Sequence, residues 1–244
     1  MFNKNSIYVL CVCIICITCL SGSALAEPTG KGDQEFNALY KAALDSLGKE
    51  NDQEALDMFL KALDLKPDIQ NAPFFNHLGF AYMQAGDVEE AIVRFKTALR
   101  IDPKYADAYS NLGSAYASQE TGTDLAVEQY QKAIELDPKQ GKAYLGLGWV
   151  YLIRKHHPQE SIKQFTKAIE IDSTMDLALY GLGLSYVASG KSELSIKPIS
   201  TLRAHNKFEY AAAIEASIKQ VETKSQPASM TSQPPQPGTE PGPA

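Results

Sequence analysis

Apolar and small residues return along this chain in blocks of roughly 34 residues, each holding two runs at three- and four-residue spacing. In the clearest block Tyr109, Leu112 and Tyr116 share one face of a helix expected from Ala106 to Gln119. Gly113 and Ala115 lie beside them and are small enough to let a second helix approach closely. That second helix is expected from Leu125 to Leu136 and offers Ala126, Tyr130 and Ala133 in return. Pro138, after Asp137, ends it, because proline has no N–H and disfavours α geometry in the residue before it.

The block repeats in phase. One period earlier stand Phe75, Leu78, Gly79, Tyr82, Ala91, Phe95, Ala98 and Pro103; one period later stand Tyr144, Leu147, Gly148, Tyr151, Phe165 and Ala168. A weaker first copy uses Leu39, Ala42, Ala43 and Ser46, then Ala55, Phe59, Ala62 and Pro67. Pro67, Pro103, Pro138 and Ser173 are separated by 36, 35 and 35 residues, so the extra residues are expected in the turns, at Asp68–Gln70, Glu120–Thr123 and Lys155–Pro158. Gly86-Asp87 and Gly190 mark tight turns within a helix pair.

A fifth first helix is carried by Leu179, Leu182, Gly183 and Tyr186. Its partner holds Ser195, Ile199 and Leu202 but also Pro198, which costs about 3 kcal/mol in a helix interior. A kink or a late start is expected there, with low local stability and a small loss for Leu202→Ala. Phe208, Ala211, Ile214, Ile218 and Val221 then trace a last helix that closes the array.

The succession aromatic, Leu-Gly, Tyr, then Ala, aromatic, Ala and Pro resembles the tetratricopeptide repeat, over roughly residues 34 to 206. The resemblance implies an all-α, right-handed helical solenoid of about five helix-turn-helix repeats with a C-terminal capping helix. It also implies a groove lined by the first helix of each repeat, in which a peptide binds. Carried over position by position, the groove residues are Tyr40 and Leu44; Asn76, Phe80 and Met83; Ser110 and Ser114; Lys142, Leu145, Trp149 and Leu152; and Tyr180 and Leu184.

Members of the family that clamp a peptide C-terminus use Lys, Asn and Arg at set positions. Here Asn111 and Lys142 match, whereas Asn76, Phe80 and Gly146 stand where Lys, Asn and Arg are needed. The implied groove is apolar at its ends and small around Ser110, Ser114 and Ala117, with Phe80 and Trp149 on either side. An apolar or amphipathic segment of another protein suits it. The alternative is that Phe80 and Trp149 only fill space between neighbouring helices.

No arrangement of residues suggests catalysis. His156-His157 lies in a turn with only Glu160 nearby, and Gly146-x-Gly148 and Gly181-x-Gly183 fall inside helices rather than in a phosphate loop. No metal, cofactor or small-molecule substrate is expected. A formal net charge of −6 argues against nucleic acid.

The ends add location. Lys4, an apolar run from Ile7 to Leu20 and Ala24-x-Ala26 read as a secretory signal peptide over residues 1–26, cut before Glu27. An uncleaved anchor in the inner membrane is the alternative. Cys11, Cys13, Cys16 and Cys19, all four cysteines, fall in this run and act as apolar filler. Residues 27–33 read as a linker, 34–222 as the solenoid with its cap, and 223–244 as a disordered Pro-rich tail. Within the tail Gln233 to Pro237 reads as spacer, with a docking motif as the alternative. Together these lead to a non-enzymatic scaffold of the bacterial envelope, periplasmic or secreted, that holds another protein. A second reading is an accessory subunit that positions an envelope enzyme of polysaccharide or cytochrome maturation.

Overall fold

The structure, a computed structural model, describes residues 30–49 and 51–225. The expected signal peptide, the first part of the expected linker and the residues beyond Ser225 lie outside the described residues. Eleven α-helices and no strand occur among them, joined by short turns. The chain divides at Gln70–Asn71 into two compact units.

The first unit holds one helix pair, α1 (Lys31–Leu47) and α2 (Asp52–Leu65). α1 opens inside the stretch assigned to the linker, where Lys66 ties back to Asp33 and lies over the Phe36 ring. Phe36, Ala43, Ala55, Leu56, Phe59 and Ala62 are buried, the last four on one side of α2 at helical spacing. Ser46, where the other copies carry Tyr, is also buried.

The second unit continues the alternation. Its helices are α3 (Ala72–Ala85), α4 (Val88–Ile101), α5 (Ala106–Ser118), α6 (Thr123–Leu136), α7 (Gly141–Trp149), α8 (Pro158–Ile171), α9 (Asp176–Ala188), α10 (Ile196–Ala204) and α11 (Phe208–Ser225). α11 runs three residues into the segment assigned to the tail. The pairing rests on one device: an aromatic of the second helix lies flat against a glycine of the first. A Cβ on Gly79 would sit 2.7 Å from the Phe95 ring, and one on Gly148 would sit 2.7 Å from that of Phe165. Gly183 of α9 is met instead by Ile214 of the capping helix α11, from beyond its own pair. Phe59, Phe95, Phe165 and Ile214 are all fully buried.

The helix ends follow the sequence with one substitution of means. Asp102 and Asp137 accept a hydrogen bond from the backbone N–H two residues on, at 2.9 and 3.0 Å, around the terminating Pro103 and Pro138. At Ser173 the proline is missing, and Asp172 accepts from both the N–H (2.9 Å) and the hydroxyl (2.6 Å) of Thr174. This tightens the same turn without a ring. Both bonds favour the carboxylate and hold the Asp172 pKa below its ordinary value. Gly86 and Gly190 turn the chain with positive φ, 90° and 73°, as read from the pattern.

Two features differ from the sequence reading. The extra residue of the fourth copy is not confined to the turn; α7 runs into a π-turn, Val150–Arg154, in which the Lys155 N–H reaches back to the Val150 carbonyl at 3.1 Å. His156, at φ 53°, then redirects the chain into α8. Pro198 does give a late start, after a 3₁₀ turn at Ser192–Ser195, but it does not weaken the packing. It is the third residue of α10, where its missing N–H would have had no partner within the helix. Leu202 is fully buried with Leu179, Val187, Ile199, Ala211 and Ile214, which overturns the expectation of a loosely held fifth pair. Three buried serines nearby are satisfied: Ser161 bonds Ser185, Ser185 donates to the Gly181 carbonyl at 2.6 Å, and Ser195 donates to that of Gly183 at 3.0 Å.

Candidate binding groove

In the second unit the first helices of successive pairs, α3, α5, α7 and α9, supply one open cavity of about 600 Å³. Its apolar walls are Phe80, Ala117, Leu145, Trp149, Ile153, Met175 and Leu177. Ser114, Asn111 and the Tyr130 hydroxyl form a small polar floor, and Lys142 and Arg154 stand at the wall. No carboxylate is among the lining residues, although the chain as a whole is acidic. An apolar surface with two cations therefore faces the opening, and it complements an apolar segment carrying a negative charge.

Apart from Asn76 and Ser110, the residues expected from the resemblance divide into three groups. Phe80, Ser114, Lys142, Leu145 and Trp149 come together in the cavity, with Phe80 37% exposed and Lys142 exposed. Met83, Leu152, Tyr180 and Leu184 are half-buried against neighbouring core clusters and do not line it. Tyr40 is half-buried and Leu44 exposed in the first unit.

Asn76 needs correction: at 4% exposed it does not line the cavity, whereas Ser110, 5% exposed, does. Asn76 instead accepts a hydrogen bond from Asn111 at 2.9 Å, which couples α3 to α5, while Ser110 forms part of the cavity floor.

Trp149 serves both readings entertained for it. Its ring meets Phe165 edge-on at 5.2 Å and Tyr180 at 5.8 Å, and Tyr180 stacks on Tyr210 of α11 at 5.1 Å and 17°. Trp149 is thus half-buried packing on one side and cavity wall on the other. Its removal would disturb the fold and the surface together, so Phe80 and Ile153 (56% exposed) separate these effects better.

Two groove features were not read from the sequence. Tyr130 occupies the position held by Phe59, Phe95 and Phe165 in the other copies, and its ring crosses the interface so that the hydroxyl emerges 2.9 Å from Ser114 Oγ. Gly146 leaves room for it; a Cβ there would sit 2.3 Å from Tyr130 Cζ. Burial pushes the Tyr130 phenol up in pKa, with the Ser114 hydrogen bond acting against this. The signal was a lone Tyr in a Phe column, followed by glycine where the two earlier copies carry Asn76 and Asn111.

Arg154 is the other. The π-turn swings it back to donate to the Ala117 carbonyl at 3.2 Å, where it also caps the C-terminal end of α5. No repeat pattern predicts a π-turn, so only the folded chain reveals this arginine. A second cavity of about 550 Å³, walled by Ile169, Leu179, Leu182, Tyr186, Leu194 and Pro198, opens where α10 starts late. Among the described residues no cluster of three or more His, Cys, Asp or Glu side chains is placed to hold a metal ion.

Comparison with known proteins agrees with this architecture. The family model described as TPR repeat matches residues 79–120, and two described as Tetratricopeptide repeat match 106–140 and 129–163. Among curated proteins, the chain is 28% identical over 104 residues to the chloroplastic tetratricopeptide repeat domain-containing protein PYG7 of Arabidopsis thaliana. The match spans 41% of this chain and 34% of that relative, about a third of its length. The crystal structure of MamA is similar at 27% identity and TM-score 0.54, over 74% of this chain and 96% of that one. TTC0263, a thermophilic TPR protein of Thermus thermophilus, shares the fold at TM-score 0.63 and 16% identity, over 75% of this chain and 99% of its own. Residues 79–163 thus carry tetratricopeptide repeats, and proteins with these repeats serve as scaffolds that bind other proteins or peptides.

Proposed function

We propose that this chain is a non-enzymatic scaffold of the bacterial envelope that seats an apolar or amphipathic segment of another protein, bearing an acidic side chain, in the groove of its second unit. The observation that carries the reading is the lining itself: Phe80 and Ile153 exposed, Lys142 and Arg154 beside them, and no carboxylate. Solvent-facing aromatic and aliphatic side chains in a concave site cost solubility unless a partner covers them. The N-terminal leader supports placement beyond the inner membrane, where a cysteine-free mature chain forms no disulfide of its own.

Panning a phage-displayed library of short random peptides on the protein tests this. Recovered peptides should combine apolar residues with Asp or Glu. Phe80→Ala should weaken them by about 2 kcal/mol, as truncation of a central aromatic contact does. Ile153→Glu should weaken them as well, while far-UV circular dichroism stays unchanged in both variants. Peptides that bind both variants as well as the parent would place recognition on another surface.

A further inference from the structure

Beside the cavity, outside its lining, stands a row of rings packed on the C-terminal core. Trp149 is followed by Tyr180 and then by Tyr210, half-buried rings with centroid steps of 5.8 and 5.1 Å, end to end at most about 11 Å. The last ring belongs to α11, the helix from whose end the Pro-rich tail departs. We propose that this tail, Pro234 to Pro243, docks in cis along Tyr210, Tyr180 and Trp149 and so competes with the partner segment. The proposal rests on the groove reading above and names a regulator of that same surface.

Length, periodicity and charge each support the match. Tyr210 lies in the first turn of α11 and Ser225 ends it, a run of fifteen residues that covers about 22 Å at 1.5 Å per residue. Nine residues lead from Ser225 to Pro234, and at roughly 3.1 Å each in polyproline II geometry they reach back about 28 Å. That reach is long enough to bring Pro234 level with Tyr210.

Polyproline II repeats every three residues, about 9 Å per turn, so a tail docked in that form would present Pro234, Pro237, Glu240 and Pro243 on one face. With Pro234 at Tyr210, Pro237 falls near Trp149, one turn along rings that span about the same distance. Aromatic-lined grooves bind such segments because the ligand has little conformational entropy left to lose. Glu240, the only ionisable side chain in residues 226–244, follows one turn further on. There the cavity presents Lys142 and Arg154 with no carboxylate.

Trp149 is the chain's only tryptophan, so its emission and its quenching by acrylamide report directly on this site. The full chain is compared with a chain ending at Ser225 and with full-length Pro234→Ala/Pro237→Ala, which leaves every described residue intact. Both variants should show red-shifted, more readily quenched Trp149 emission at unchanged helicity. A synthetic peptide of residues 226–244 added to the shortened chain should restore protection.

A tail held at about millimolar effective concentration, binding with an intrinsic Kd of about 0.1 mM, weakens a competing groove peptide about tenfold. Removing the tail should therefore tighten the panned peptides by that factor. Equal quenching in all three proteins, or peptide affinities indifferent to the tail, would overturn the proposal while leaving the groove reading intact. Protection that appears only as protein concentration rises would assign the site to a second copy's tail and overturn docking in cis. A tail effect together with panned peptides that ignore Phe80 and Ile153 would refute the partner reading instead.

Discussion

Leu202→Ala is the most discriminating test of how the C-terminal pairs are held. A reading from Pro198 alone makes this side chain peripheral; the structure makes it one of the most deeply buried in the chain, in contact with Leu179, Val187, Ile199, Ala211 and Ile214. The substitution deletes three carbons, worth about 2.4 kcal/mol at 0.8 kcal/mol per buried methylene. The neighbours come from three different helices and collapse only partly, so a cavity term brings the expected loss to about 3–4 kcal/mol. Leu112→Ala, at a 3% exposed site in the central copy, should cost about the same.

Leu194, 46% exposed and also close to Pro198, supplies the control; its alanine variant should cost under about 0.5 kcal/mol. Urea unfolding followed by far-UV circular dichroism gives the totals. Because a solenoid's stability is close to a sum over pairs and interfaces, hydrogen exchange should show the Leu202 loss first in α9, α10 and α11. A loss below about 1 kcal/mol for Leu202→Ala, with Leu112→Ala near its expected value, would refute the packing argument.

Gly181→Ala should lower the Tm despite the better helix propensity of alanine, since its Cβ would lie 2.3 Å from Cζ of the fully buried Phe165; overpacking costs about 1–3 kcal/mol against a gain near 1. A raised Tm would show that the Phe165 ring has room to move. Burial lowers the pKa of His77 below its ordinary 6.5, with Asp107 opposing. The unfolded chain therefore takes up its proton first, and this contribution to stability is complete above 6.5 and lost as pH falls from there toward the lowered folded value. His77→Gln should flatten that part of the urea-midpoint profile, and an unchanged profile would assign the pH dependence elsewhere. Mass analysis of the exported protein should find Glu27 as the first residue; a chain retaining Met1 would favour a membrane anchor.

Much of this architecture is legible because a repeat states each packing rule several times. Leu-Gly-x-x-Tyr and Ala-x-x-x-aromatic-x-x-Ala describe a helix pair that is incomplete alone, and in-phase copies require stacking. The groove was less legible. Position in the repeat brought Phe80, Ser114, Lys142, Leu145 and Trp149 into the cavity but also nominated Asn76, which is consumed by Asn111, and Met83 and Leu152, which are drawn into adjacent cores.

Local sequence determined the helices, their aspartate- and glycine-marked ends, and the column of rings against glycines, because each depends on spacing within one or two copies. Tertiary structure decided what depends on the next copy. Gly146 of α7 lets Tyr130 of α6 thread its hydroxyl into the groove, the π-turn after Trp149 returns Arg154 to α5, and Ile214 of the capping helix α11 meets Gly183 of α9. In each case the partner lies 16 or more residues away in the chain, beyond the reach of any local pattern, and close packing selects the pairing.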